Sequence, residues 1–317
     1  HLVVAGQDGT LGALFSQGAQ AHEAFSGLWK PLNWVGEVAP SAQTNLTLAL
    51  FLALQSAVAF SKFYVPLSLL FLGVSAAWFC RRAGLGGKTA ILVGIAAALN
   101  SNPVSYACWG LAPKALTQGF ALLALGLLLQ SAREGGWRTW VRVALAGLTV
   151  GCCVTEGADV GAIFSLLVAA FTVVISTTGS AGTSRSWVSG ILRLGLVAGC
   201  AGWLASHSLS TLVGTQIVGV SGMSQTRESE AQRWQFASAI SLPPVESLRI
   251  IVPGLFGYRM DSPDGGAYWG AVGFDGTSKG RWSGAGEYAG ILVVLVASYA
   301  AATSLRKKQS PYSEQER

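Results

Sequence analysis

Charge is scarce in this chain. Its 317 residues hold 21 Lys and Arg and 15 Asp and Glu, or 11%. A soluble domain carries about 25% charged residues, so the composition excludes an ordinary soluble enzyme. Histidine is scarcer still: His1, His22 and His207 are the only three, and no spacing among them or to cysteine suggests a zinc site. Cysteine gives no disulfide framework either. The five thiols (Cys80, Cys108, Cys152, Cys153, Cys200) are odd in number and lie in or beside apolar segments, so they read as small packing residues. Phosphate-loop chemistry is excluded at Gly84-Leu-Gly-Gly87-Lys88-Thr89. The position that must hold the first glycine holds Arg82, and the segment follows an apolar helix instead of a strand. The chain opens at His1 with no basic and apolar leader before Gly6, which leads us to expect a fragment of a longer protein.

What is abundant is apolar and small. Hydrophobic residues make up 51%, and there are 40 glycines, which suits helices that must approach closely in lipid. About 20 mostly apolar residues cross a bilayer, and 63–80, 89–107, 113–131, 139–155, 158–177, 189–207 and 288–304 qualify as spans. Residues 44–60 are also apolar, but only Ser61 and Lys62 separate them from the next span, so they read as a re-entrant or interfacial helix. The expected fold is an all-α polytopic membrane protein: about seven transmembrane helices, this extra helix, and an extracytoplasmic loop segment. Residues 1–43 form the first extracytoplasmic loop and 44–207 the bundle. Residues 208–287 form an extracytoplasmic segment, and 288–317 the last span with a cytoplasmic tail.

The net charge of +6 comes from basic residues at the ends of the spans, which is a signal of topology and not of nucleic-acid binding. Alternate loops hold Arg81, Arg82 and Lys88; Arg133, Arg138 and Arg142; Arg185 and Arg193; and Arg306, Lys307 and Lys308. These define the cytoplasmic side, with the C-terminus on it. All acidic residues except Glu134, Glu314 and Glu316 fall on the opposite side or at its membrane edge.

Two carboxylates stand out. Glu156 and Asp159 lie in Val150-Gly-Cys-Cys-Val-Thr-Glu156-Gly-Ala-Asp159-Val between two apolar segments. A carboxylate at membrane depth is costly unless it faces a cavity or a partner. Three residues apart, the two would share a face of one helix; the competing reading is a polar turn between two spans. Lys114, just inside the adjacent outer turn, is the expected counter-ion. Asn45-Leu46-Thr47 fits the glycosylation pattern, but at the start of an apolar helix Asn45 reads better as a cap. Further on, Pro243-Pro244 ends whatever precedes it, and a short helix is expected from Val245. Asp261-Ser-Pro-Asp264 could offer oxygens to a divalent cation, although an Asp-rich turn is the stronger reading.

Taken in order, several segments form a pattern: a first loop with Asp8, Phe63-Tyr64-Val65-Pro66, Arg81-Arg82-Ala83-Gly84-Leu85, Ala107-Cys-Trp109-Gly110 and Thr155-Glu156-Gly-Ala-Asp159-Val160. Leu242-Pro243-Pro244, Ile251-Val252-Pro253-Gly254-Leu-Phe-Gly257-Tyr258-Arg259, Pro263-Asp264-Gly-Gly-Ala-Tyr268-Trp269-Gly270 and Gly284-Ala-Gly286-Glu287-Tyr288-Ala-Gly290 follow. Together they resemble the YfhO-like bacterial multi-spanning proteins, of the GT-C class of membrane glycosyltransferases. The resemblance implies an inner-membrane enzyme that moves a sugar from a polyprenyl-phosphate carrier to an acceptor on the extracytoplasmic face. It implies an acidic base on the first loop, here Asp8, with Glu37 the next candidate on that loop.

A sugar phosphodiester already has a good leaving group, so catalysis needs a base for the acceptor and cations for the departing phosphate. Arg249, Arg259 and Lys114 are the outer cations. Tyr258, Tyr268 and Trp269 offer flat faces to a sugar or prenyl tail, and Glu156, Asp159 and Glu287 complete the expected substrate-binding set. The rival is a non-catalytic transporter or lipid-binding protein with a polar outer cavity gated by Glu156 and Asp159. Transporters are commonly built from repeated halves with paired broken helices, and no such repeat is visible here.

Overall fold

The computed structural model describes residues 29–30, 37–38, 45–108, 111–133, 135–177, 187–212, 234, 244–252, 254–257, 269–270 and 290–305. The chain divides into two compact units, His1–Leu99 with Tyr106–Leu212 and Asn100–Ser105 with Val213–Arg317.

The first unit is a helical bundle. Its described helices are α1 (Leu46–Leu54), α2 (Ala57–Arg82), α3 (Gly87–Ala98), α5 (Pro113–Arg133), α6 (Trp137–Glu156), α7 (Ala158–Thr177) and α8 (Trp187–Leu212). The short α4 (Ser101–Cys108) runs across the boundary between the units. Trp29–Lys30 and Glu37–Val38 form a minimal antiparallel pair, Trp29 opposite Val38 and Lys30 opposite Glu37. The second unit holds a 3₁₀ helix at Pro244–Ile250 and α9 at Ile291–Leu305.

Four of the described helices are long and apolar enough to cross a membrane: Ala57–Arg82, Pro113–Arg133, Ala158–Ser176 and Trp187–Ser206. Their outward residues are large and apolar, including Leu70, Val74, Ile163, Leu166, Ile191 and Leu192, all more than half exposed. Exposed apolar surface on this scale marks contact with something other than water. The protein is an all-α polytopic membrane protein.

Two expected segments have different bounds. The span expected at 89–107 is not one helix. α3 stops at Ala98, and Asn100 then starts a new helix: its side chain accepts from the Asn102 amide at 2.9 Å and its carbonyl from the Val104 amide at 3.2 Å. The apolar stretch 44–60 is likewise divided. Gln55 adopts a left-handed conformation (φ 51°) that ends α1, and Ser56 caps α2 through the Ala59 amide. Residues 57–60 therefore begin the long helix. The nine-residue α1 is about 13 Å long, less than half a bilayer core.

Within the bundle, α2 packs on α3 and α5, α5 on α6, and α6 on α8, while α7 packs against α5, α6 and α8. One core cluster, Phe51, Ala57, Phe60, Tyr64, Ala112 and Leu116, joins α1 to α2 and α5, with Phe51 edge-on to Phe60 and Phe60 stacked on Tyr64. A second cluster, which includes Leu128, Val143, Val150, Val168 and Val197, fills the space between α5, α6, α7 and α8.

Glycines set two of the crossings. A Cβ on Gly94 would stand 2.6 Å from the carbonyl oxygen of Gly73, so the backbones of α2 and α3 nearly touch. On α6, Gly147-Leu-Thr-Val-Gly151 is a small-xxx-small face, closed by Val197 and Cys200 at the first glycine and by Ala201 and Leu204 at the second. This matching order shows that α6 and α8 run in the same direction. Gly94→Val should destabilise the bundle by about 1–3 kcal/mol, because backbone cannot yield as a side chain would. The measurement is a lower thermal midpoint in detergent, compared with Gly199→Ala, where an added Cβ meets nothing within 4 Å and the midpoint should hold.

The two ends of the bundle differ in charge. At one end Arg133 Nη1 donates to the Arg82 carbonyl at 2.9 Å. Gln130, with its amide oxygen turned to the guanidiniums, accepts from Arg142 at 3.0 Å and from Arg82 at 3.2 Å. At the other end Cys153 Sγ donates to the Thr117 carbonyl at 3.3 Å, and α6 finishes at Glu156.

Candidate functional site at the carboxylate end

Glu156 is the last residue of α6 and only 8% exposed. Its carboxylate faces the first turn of α1. Oε1 accepts from the backbone amides of Leu46 and of Thr47, the latter at 3.1 Å, and Oε2 accepts from Thr47 Oγ1 at 2.6 Å. Thr47 Oγ1 also lies 2.6 Å from the Tyr64 hydroxyl. Because the single Thr47 hydrogen goes to Glu156, Tyr64 is the donor in that pair. The result is a directed chain, Tyr64 to Thr47 to Glu156, that joins α2, α1 and α6.

Helix α1 needs this arrangement. The first amides of any helix lack intrahelical partners and carry the positive end of its dipole. Here Leu46 and Thr47 give theirs to Glu156. Leu48 gives its amide to Asn45 Oδ1 at 2.8 Å. Asn45 is thus the helix cap that its position implied, and its Nδ2 points to the Thr155 carbonyl at 3.5 Å. A carboxylate that is costly in an apolar setting finds three donors and a helix dipole, and a helix too short to hold itself finds an anchor.

The shared face expected of Glu156 and Asp159 does not exist. Gly157 is extended (φ −156°, ψ 100°) and separates the two helices, so Glu156 ends α6 while Asp159 stands exposed in the first turn of α7. The polar-turn alternative describes the segment. Nor is Lys114 the partner of Glu156, whose acceptors are taken by α1. The Lys114 ammonium lies over the Tyr106 ring, 3.1 Å from its centroid, a cation–π contact.

The remaining expected site residues are distributed as follows. Glu37 stands opposite Lys30 in the strand pair. In the second unit Arg249 is buried and paired with Glu246 within the 3₁₀ helix, which starts where the double proline led us to expect a helix. Trp269 is exposed and tilted against Phe256, with ring centroids 5.5 Å apart. Asp8, Tyr258, Arg259, Tyr268, Glu287 and the Asp261–Asp264 turn lie outside the described residues. Among the described residues no three His, Cys, Asp or Glu side chains group as metal ligands would.

Sequence reasoning missed Thr47 and Tyr64 as partners of Glu156. The available signal was weak: a hydroxyl two residues after a capping Asn, on a helix too short to stand alone. No family model, no curated protein and no solved structure matches the chain.

Proposed function

We propose that the chain is a membrane glycosyltransferase of the GT-C, YfhO-like class, moving a sugar from a polyprenyl-phosphate donor to an acceptor at the extracytoplasmic face. The observation that carries this reading is the anchoring of α1 by Glu156. It fixes the exit of the preceding loop, the one that bears Asp8 and Glu37, at the end of the bundle away from Arg82, Arg133 and Arg142. With the arginine end in the cytoplasm, as the distribution of basic residues favours, Asn45 at the exit of that loop stands at the extracytoplasmic end, the side on which a base for an external acceptor is needed.

In the reaction the acceptor oxygen forms a bond to the anomeric carbon while the bond from that carbon to the phosphate oxygen breaks. The electron pair leaves with the polyprenyl phosphate, and the acceptor proton passes to the Asp8 carboxylate. Arg259 meets the phosphate. The engagement of Glu156 with α1 speaks against the rival reading, because a gating carboxylate must be free to exchange partners. The test is transfer of labelled sugar from a polyprenyl-phosphate donor by the protein in proteoliposomes. Transfer is expected, with Arg259→Ala raising KM for the donor about tenfold through loss of a charge-assisted phosphate contact. Absence of transfer across a panel of such donors, with solute flux instead, would make the chain a transporter.

A further inference from the structure

We infer that the arginine end of the bundle is a binding site for the headgroup of an anionic phospholipid. Three guanidiniums from three helices meet there. Arg82 at the end of α2 and Arg142 on α6 both donate to the amide oxygen of Gln130, and Arg133 at the end of α5 donates to the Arg82 carbonyl. Arg81, the chain neighbour of Arg82 in the last turn of α2, donates from Nη1 to the Leu85 carbonyl at 3.3 Å.

Among the described residues, the acceptors met by Arg81, Arg82 and Arg133 are neutral. In this unit the described carboxylates are Glu37, Glu156 and Asp159, and the last two belong to the opposite end. Neutral carbonyls orient guanidiniums without cancelling their charge, so Arg81, Arg82 and Arg133 present positive charge at this end of the bundle. A phosphodiester oxygen is the group whose charge and geometry such a fork of N–H donors fits.

The level of the cluster identifies the occupant. Trp137 and Trp140 lie in the first turn of α6 at this end and are exposed (71% and 42%). Tryptophans in that position mark the boundary between acyl chains and headgroups. Arg81 and Arg133 are exposed in the same layer, where a phospholipid presents its phosphate and its chains lie along the apolar helix faces. The site is independent of the reaction proposed at the other end.

The experiment titrates the detergent-purified protein with phosphatidylglycerol and, separately, with phosphatidylcholine, and follows the thermal midpoint. Phosphatidylglycerol should raise it saturably, with phosphatidylcholine or inorganic phosphate at equal concentration leaving it in place. Arg81→Gln with Arg133→Gln, two exposed positions, should weaken apparent phosphatidylglycerol affinity about thirtyfold, the factor for two interfacial charges. Arg81→Lys with Arg133→Lys should keep most of it. Equal response to the two lipids, unchanged affinity in the Gln pair, or an equal response to inorganic phosphate would each overturn the assignment. The comparison of lipids on the unaltered protein stands even if the double variant does not fold.

Discussion

Glu156→Ala should detach α1 from the bundle. The substitution leaves the amides of Leu46 and Thr47 and the Thr47 hydroxyl without their acceptor, in a region that water reaches poorly. Hydrogen bonds to a charged group contribute about 1.5–3 kcal/mol each, and an unpaired buried donor is costly in its own right. A loss of ~3 kcal/mol at this joint is expected, which exceeds what a nine-residue helix can supply alone. In hydrogen exchange, the amides of α1 should lose protection by about a hundredfold while those of α5 and α6 keep theirs. Glu156→Gln should fall between, since its carbonyl oxygen still accepts but its amide nitrogen meets the Thr47 hydroxyl as a donor. Full protection of α1 in the Ala variant would show that the apolar contacts of Phe51 with Phe60 hold the helix without the carboxylate.

On the proposed glycosyltransferase reading, Asp8→Asn should nearly abolish sugar transfer. Asparagine matches the size and polarity of aspartate but has no lone pair basic enough to take a proton from a hydroxyl. A positioned general base contributes about 10²–10⁴-fold, and kcat should fall by that factor with donor binding unchanged. The informative pair of measurements is single-turnover transfer and donor binding on the same preparation. Unchanged turnover in this variant would transfer the role of base to Glu37. A parallel loss of donor binding would instead show that Asp8 shapes the loop and does no proton transfer.

The long helices were legible because a 20-residue apolar run admits few other structures in lipid, which have to satisfy every backbone polar group internally. α2, α5, α7 and α8 follow from that argument alone. Helix ends were harder to place. The break after Ala98 had visible causes, Asn100 and Pro103, yet a similar composition occurs in kinked spans, and only the Asn100 cap separates the two cases. The end of α1 carried no glycine or proline; a left-handed glutamine does the work there.

Glu156 stood out in the sequence as a charge with apolar neighbours, and its position was informative. Its purpose was not legible, because its partners lie 109 and 110 residues earlier and nothing local records that contact. The spacing to Asp159 suggested a shared helical face, and one extended glycine made the spacing meaningless. The pairing of Arg249 with Glu246, by contrast, is an i, i+3 contact that the sequence contained.

The separation of 110 residues between Leu46 and Glu156 also bears on the order in which the protein is made. α1 leaves the ribosome before α6, and the carboxylate that caps it follows about 5–20 s later at ordinary rates of synthesis. During that interval α1 has neither an anchor nor the length to hold itself as a helix across the bilayer. Although α1 is synthesised before α6, it can therefore settle only after α6 has been completed.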